Sequence, residues 1–150
     1  MKDLRLEGVK KFDSYVLYRA MEVLERLSVK DMGWIAEHIP SIFMGFEEAR
    51  TFFVMAGEGE CVALCGYSWE GGDRLWWMAI PYHLKASSPM RVARAVCRFL
   101  KEGEMASMKC TVQRDDYPEA YRLLVLAGFE PYAYDMATDT TYMERKAWTP

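Results

Sequence analysis

Residues 108–136 constrain the fold more than any other part of the chain. An apolar, strand-like run, MKCTVQ at 108–113, leads through an acidic turn into AYRLLVLAGF at 120–129. The latter reads as a short amphipathic helix. Gly128 is its stop, since glycine takes a left-handed C-terminal conformation without a Cβ penalty. Asp116 and Glu119 have the D-x-x-E spacing of a capping box. A second strand-like run, 129–136, follows at once. The order is thus strand, acidic turn, short amphipathic helix, glycine stop, strand.

Upstream, three runs read as strands: 51–56, 61–69 and 74–80. Gly57-Glu-Gly59 and Glu70-Gly-Gly-Asp73 make tight turns between them, so an antiparallel meander is expected. Residues 81–88 form a loop. Ser88 and Pro89 then start a helix over 89–101, with a capping hydroxyl followed by proline at the first helical position. Val92, Val96 and Phe99 mark its buried face, Arg91, Arg94, Arg98 and Lys101 its wet face, and Gly103 its end. Near the N-terminus, 4–9 reads as a strand. Asp13 or Ser14 caps a helix whose apolar stripe is Leu17, Ala20, Met21, Leu24 and Leu27. A second helix is expected over 29–39 with Pro40 as its stop; residues 41–50 are open between helix and loop. A last strand is expected over 141–148, after a turn at 137–140.

The 150 residues are 51% hydrophobic and 27% charged, which suits one globular domain over 1–150. A net charge of -3 gives no electrostatic reason for nucleic-acid binding. No apolar run approaches the ~18 residues of a membrane span, and residues 1–12 lack the apolar core of a signal peptide. The expected setting is cytoplasmic. Cys61, Cys65, Cys97 and Cys110 lack zinc-ribbon spacing, and His38 and His83 are isolated, so no metal is expected. Cys61 and Cys65, four apart in one strand, are expected on the same side. All the cysteines read as small buried hydrophobes.

The order β, α, α, β, β, β, α, β, α, β, β resembles the GCN5-related N-acetyltransferase (GNAT) fold. The resemblance covers residues 51–146, with the N-terminal third matching in outline. It implies an α+β fold with a central, mostly antiparallel twisted sheet of about six or seven strands flanked by about four helices. It also implies acetyl-coenzyme A as cofactor and an amine, unidentified here, as acceptor. In the family, the fourth strand leads into a Gly-rich loop at a helix N-terminus, whose amides hold the coenzyme's pyrophosphate. By that resemblance the backbone of Met78, Ala79 and Ile80 holds the pantetheine arm, and Lys85, Ala86, Ser87, Ser88 and Arg91 hold the pyrophosphate. The family loop resembles Arg/Gln-x-x-Gly-x-Gly/Ala, whereas no glycine lies between Gly72 and Gly103 here and Pro89 removes an N–H. The side chains of Lys85, Ser87, Ser88 and Arg91 must then compensate. The plainer reading is a helix cap beside a solvated basic face.

The later helix resembles Asn-x-x-Ala-x-x-Leu-Tyr-x-x-x-Gly-Phe. Ala120, Gly128 and Phe129 match; Tyr117 stands at the Asn position and Leu124 at the Tyr position. In many members that tyrosine protonates the departing thiolate, which leucine cannot do. Tyr121, one turn earlier, and Tyr117 are the candidate acids, and Leu124→Tyr is expected to raise turnover in a weak enzyme. The candidate base is Glu70, with Glu60 and Asp73 as further carboxylates of the meander. Trp69, Trp76, Trp77, Tyr132 and Tyr134 fall around the expected cleft, with Trp76 and Trp77 on opposite faces. The alternative is an inactive GNAT-like binding or structural protein, of the kind found among tailed-phage and virion-associated proteins. Its aromatics would form a protein–protein surface. An edge strand near the C-terminus is available to a second copy.

Overall fold

In the computed structural model, which describes residues 4–9, 11–26, 32–56, 60–81, 88–102, 107–113 and 118–146, eleven elements follow the expected order. They are β1 (Arg5–Glu7), α1 (Ser14–Leu24), α2 (Met32–Glu47), β2 (Thr51–Met55), β3 (Cys61–Glu70), β4 (Asp73–Ala79), α3 (Ser88–Glu102), β5 (Met108–Val112), α4 (Pro118–Leu126), β6 (Glu130–Asp135) and β7 (Thr140–Arg145). The seven strands form one sheet in the order β1-β2-β3-β4-β5-β7-β6. Neighbours are antiparallel except β4 and β5, which run parallel. This is the expected α+β, mostly antiparallel architecture. Helices α1 and α2 close one face over β2 and β3, while α3 and α4 pack together on the other.

Local chemistry explains most boundaries. Asp13 is the N-cap of α1 and accepts a hydrogen bond from the Val16 amide at 3.0 Å. The β3–β4 turn places Gly71 and Gly72 at φ of +59° and +85°, both left-handed, as a two-residue hairpin turn of this twist requires. Helix α4 ends in a Schellman motif. The Phe129 amide donates to the Leu124 carbonyl and the Gly128 amide to that of Val125, each at 3.0 Å, with Gly128 at φ +99°.

Three expectations are corrected. Pro40 does not stop a helix; α2 runs through it. Ile39, Ile42, Phe43 and Phe46 carry one apolar stripe across the proline and onto the sheet, while Pro40 itself faces solvent. That burial outweighs the ~3 kcal/mol of an interior proline. Second, α1 buries Val16, Ala20, Val23 and Leu24, leaving Leu17 39% exposed, so the stripe is rotated by one position at its start. Third, Cys61 and Cys65 lie on opposite faces. The β2–β3 register shifts from Val54↔Ala63 to Met55↔Cys61, a bulge that leaves Val62 extra and reverses the alternation. Cys61 joins the core under α1 and α2, and Cys65 the core under α3 and α4. The turn at 57–59, Leu27, the start at 29–31, Gly103, Asp116 and strand residues beyond 146 lie outside the described residues.

The β6 edge carries features that discourage pairing with another chain. Pro131 cannot donate to a ladder, a register shift interrupts the strand between Pro131 and Ala133, and Glu130 and Asp135 put acids at both ends.

The α2–β2 corner is held tightly. The Thr51 hydroxyl donates to the Ile42 carbonyl at 2.8 Å, and Arg50 Nη1 to the Tyr67 carbonyl at 2.7 Å. The Tyr67 amide returns a bond to the Arg50 carbonyl at 3.1 Å. A Cβ on Gly66 would overlap that carbonyl and crowd Thr51 Cα and the Trp77 ring. Gly66→Ala is therefore expected to lower unfolding free energy by about 1–3 kcal/mol, read as a shift of the urea midpoint.

Candidate functional site

The ladder between β4 and β5 consists of two residue pairs, Arg74↔Met108 and Leu75↔Lys109. Beyond them the strands continue without pairing to each other. Each is instead fixed by its outer neighbour: β4 pairs with β3 as far as Leu64↔Ala79, and β5 with β7 as far as Val112↔Thr141. Sheet twist separates two strands held apart in this way. The result is a V-shaped opening bounded by residues 76–80 and 110–112, within a seven-stranded sheet. On the inner edge of β4, backbone groups are free of the β5 ladder. Such an edge can take an extended ligand as an added strand.

Alternation sets what flanks the opening. Trp76, Met78 and Ile80 turn toward the core under α3 and α4; Trp77 and Ala79 turn toward the core under α1 and α2. This is the opposite-face arrangement expected for Trp76 and Trp77. Cys110 lies on the α3–α4 side of β5, and burial pushes its thiol up to about 12. Helix α3 begins at Ser88, on the chain that returns from the end of β4, so its N-terminal amides belong to the same end of the sheet as the opening.

The expected site residues separate into three groups. Met78, Ala79 and Ile80 border the opening, and Arg91 is half-buried in the first turn of α3. Lys85, Ala86, Ser87 and Tyr117 lie outside the described residues, as does the side chain of Ser88. Tyr121 packs against the same core as Met78 and Ile80, while Glu70 lies toward the other end of β4. Tyr121 is half-buried on α4 and lines a cavity of about 620 Å³ with Pro131, Tyr132, Ala133, Tyr134, Asp139 and Thr141, toward β6 and β7. Glu70 faces Asp73 across the β3–β4 turn, at the end of β4 opposite the opening. At about 3.3 Å per residue, that is roughly 10 Å from Trp76 and roughly 20 Å from Ala79. Asp73 is engaged there with Lys109 Nζ at 3.2 Å. Glu60, in the β2–β3 turn, is the meander carboxylate at the same end as the opening.

Sequence reasoning missed the cavity beside Tyr121. Tyr134 donates to Asp139 Oδ1 at 2.7 Å across it, and Asp139 holds a left-handed φ of +50° in the β6–β7 turn. The aspartate at that turn was the available signal, since Asp tolerates this conformation. The guanidinium of Arg74 lies 5.1 Å from both the Tyr67 and the Trp69 ring centroids, which places Trp69, one of the expected cleft aromatics, in packing near the β3–β4 turn. Among the described residues, no helix is long and apolar enough to cross a membrane, and no group of three His, Cys, Asp or Glu could hold a metal ion.

No family model matches the sequence, and no curated protein matches it either. Solved structures do. The GNAT-family acetyltransferase of Bacillus anthracis superposes with a TM-score of 0.67 at 16% identity, covering 97% of this chain and 96% of that one. A GNAT-family acetyltransferase from Bacillus cereus gives 0.67 at 8% identity, covering 99% and 100%. The Campylobacter jejuni N-acetyltransferase PseH gives 0.60 at 14%, covering 95% and 97%. At these identities the likeness establishes the fold, which is that of the GNAT acetyltransferases.

The thiols give a direct check on the site's geometry. Burial raises Cys61 to about 11, Cys65 well above its ordinary value and Cys110 to about 12, while Cys97 is half-buried on α3. In the native protein at pH 8, Cys97 is expected to react with a thiol reagent well before the other three. A thiol whose folded pKa is raised favours folding below its unfolded value of 9.0. That contribution falls away as pH climbs toward the folded values, so denaturation midpoints should drop above pH ~9 and drop less in Cys110→Ala.

Proposed function

We propose that this protein binds acetyl-coenzyme A in the β4–β5 opening and transfers the acetyl group to an amine. The observation that carries this reading is the opening itself: two parallel strands paired over two positions and then held apart by their outer partners. A bound coenzyme would supply an acyl group already activated as a thioester. The chain's own contribution is to receive and orient it. The inner edge of β4 at residues 76–80 offers amides and carbonyls to the pantetheine amides. The amino end of α3, with Arg91 in its first turn, suits the pyrophosphate by helix dipole and by charge. Lys85, Ala86, Ser87 and Ser88 precede and begin that helix and complete the proposed phosphate contacts.

The proton inventory is sparse. Residues 76–80 and 110–112, WWMAI and CTV, include no carboxylate or histidine. Cys110 holds its proton at neutral pH because burial raises its thiol to about 12. The acceptor's proton therefore leaves through water or through a group from the loops. Glu70, the last residue of β3, stands opposite Asp73, toward the other end of β4 from Met78–Ile80. For the proton returned to the thiolate, Tyr121 on α4 and Tyr117 just before it remain the proposed donors.

A specific observation favours a second reading, a cofactor-binding or structural protein without turnover. Leu124 is 6% exposed, packs in the core with Phe129, and offers its carbonyl to the Schellman motif that ends α4. The position that carries the acid in many GNAT enzymes is here committed to packing.

Calorimetric titration with acetyl-coenzyme A separates the outcomes. Micromolar binding is expected, and release of free thiol with a panel of amines then distinguishes an enzyme from a binder. Absence of binding at millimolar coenzyme would leave a scaffold. The structure also reverses the expectation for Leu124→Tyr: a hydroxyl forced into this packed position should cost about 1–3 kcal/mol of stability and bring no gain in turnover. Urea denaturation and the thiol-release assay on the variant read both effects.

A further inference from the structure

Arg145, the last residue of β7, is 9% exposed. Of its side-chain nitrogens only Nε is both closed off and without an acceptor. Among the described residues the guanidinium makes no hydrogen bond or ion pair, so its two outer nitrogens open onto whatever lies beside them. A guanidinium keeps its charge and carries five N–H donors. Burying one with no counter-charge is strongly unfavourable.

The sheet register explains why the adjacent acids do not serve it. Met143 lies in the core under α3 and α4, and Arg145, two residues on, turns to the same face. Glu144 turns to the other face, where Lys109 stands opposite it. Glu130 is the direct partner of Glu144 in the β6–β7 ladder, so it shares that other face. The carboxyl end of α4 lies beside Arg145 at Gly128, and its dipole favours a cation. No described carbonyl there takes a hydrogen bond from the guanidinium.

A second observation points to what is missing. Arg145 lines a cavity of about 240 Å³ together with Gly128, Glu130, Glu144 and Lys146. Gly128 lets the backbone come close, since a Cβ there would stand 3.1 Å from Arg145 Nε. A ligand in this cavity meets the outer nitrogens of the guanidinium, not the enclosed Nε. That planar pair of donors matches a carboxylate or a phosphate. Glu130 and Glu144 repel a multiply charged anion, which favours the singly charged carboxylate.

We propose that this cavity is a binding site for a small monocarboxylate, whose two oxygens accept hydrogen bonds from the Arg145 guanidinium. It lies at the paired end of β4 and β5, since Arg145 stands opposite Met108 and Met108 opposite Arg74. The site is therefore separate from the opening and does not depend on the coenzyme reading.

Acetate is the probe. At tenfold its Kd, sodium acetate should raise the melting temperature by about 3–6 °C, saturably, relative to sodium chloride at the same ionic strength. Arg145→Met removes the charge and keeps an unbranched apolar chain. Without acetate it should melt at or above the wild-type temperature, because an uncompensated buried charge is gone, and it should lose the acetate response. An equal rise with chloride, or a rise that persists in Arg145→Met, overturns the proposal. So does a response to inorganic phosphate with none to acetate. Should the variant fold poorly, the wild-type Arg145 Nε–H resonance, assigned by its nuclear Overhauser contact to Gly128, carries the test. It should move as acetate saturates the protein; a resonance that acetate leaves unmoved refutes the site.

Discussion

The early end of the β4–β5 ladder is the constraint on which the rest of the molecule depends. Parallel neighbours cannot be joined by a hairpin, so the chain must cross over between them. Helix α3 is that crossover, pinned by Val92, Ala93, Ala95, Val96 and Leu100, all under 4% exposed. Once α3 is fixed, the N-terminal ends of β4 and β5 are brought together at Arg74–Met108. Their C-terminal ends belong to two different antiparallel systems, the β1–β4 meander and the β5–β7–β6 unit. Neither can yield to close the gap without breaking pairs elsewhere. The early end of the ladder is thus a consequence of topology rather than of any one side chain.

The competition between packing and chemistry is sharpest on α4. The helix is nine residues long, too short to be stable on propensity alone. It depends on its ends and its buried side, and Leu124 serves both. Its side chain joins Phe129 in the core, and its carbonyl takes the terminal hydrogen bond. Gly128 is equally constrained, by its φ of +99° and by the Arg145 side chain, whose Nε lies 3.1 Å from where a Cβ would stand. A helix so closely specified has little freedom to recover a catalytic tyrosine at position 124. Tyr121 sits one turn away, packed against the α3–α4 core on one side and lining the cavity beside β6 and β7 on the other.

What could be read from the sequence was whatever local chemistry determines. Gly71-Gly72, Asp13 and Gly128 each act through their immediate neighbours, and each stands where it was expected. The failures share a different cause. Pro40 has a strong local signal to end a helix, but Ile42 and Phe46 beyond it are needed by the core, and tertiary burial prevailed. The bulge at Val62 separates Cys61 from Cys65, yet it arises from pairing with β2 and leaves no mark in the strand's own residues. The mostly antiparallel sheet followed from element order by resemblance. The position of a side chain relative to the end of the β4–β5 ladder did not, because Glu70 was chosen by type, and distance across a sheet depends on which end of a strand a residue occupies.

On the proposed reading, the absence of glycine between Gly72 and Gly103 changes the kind of affinity the cleft can offer an anionic coenzyme. Close backbone contacts to phosphate are short-range and little affected by salt. Side-chain cations act over about a Debye length and are screened. Here Pro89 removes one amide from the helix start, and Arg91, Arg94, Arg98 and Lys101 follow at helical spacing along α3. Arg94 and Arg98 are exposed. A protein with a net charge of -3 thus keeps a local basic stripe on the one helix that begins at the mouth of the opening. Phosphate binding built this way draws more on steering and long-range attraction and less on a fitted cradle. On the proposed coenzyme reading, placement of the acyl group falls to the apolar end of the cleft, where β4 and β5 leave their common ladder at Trp76 and Cys110.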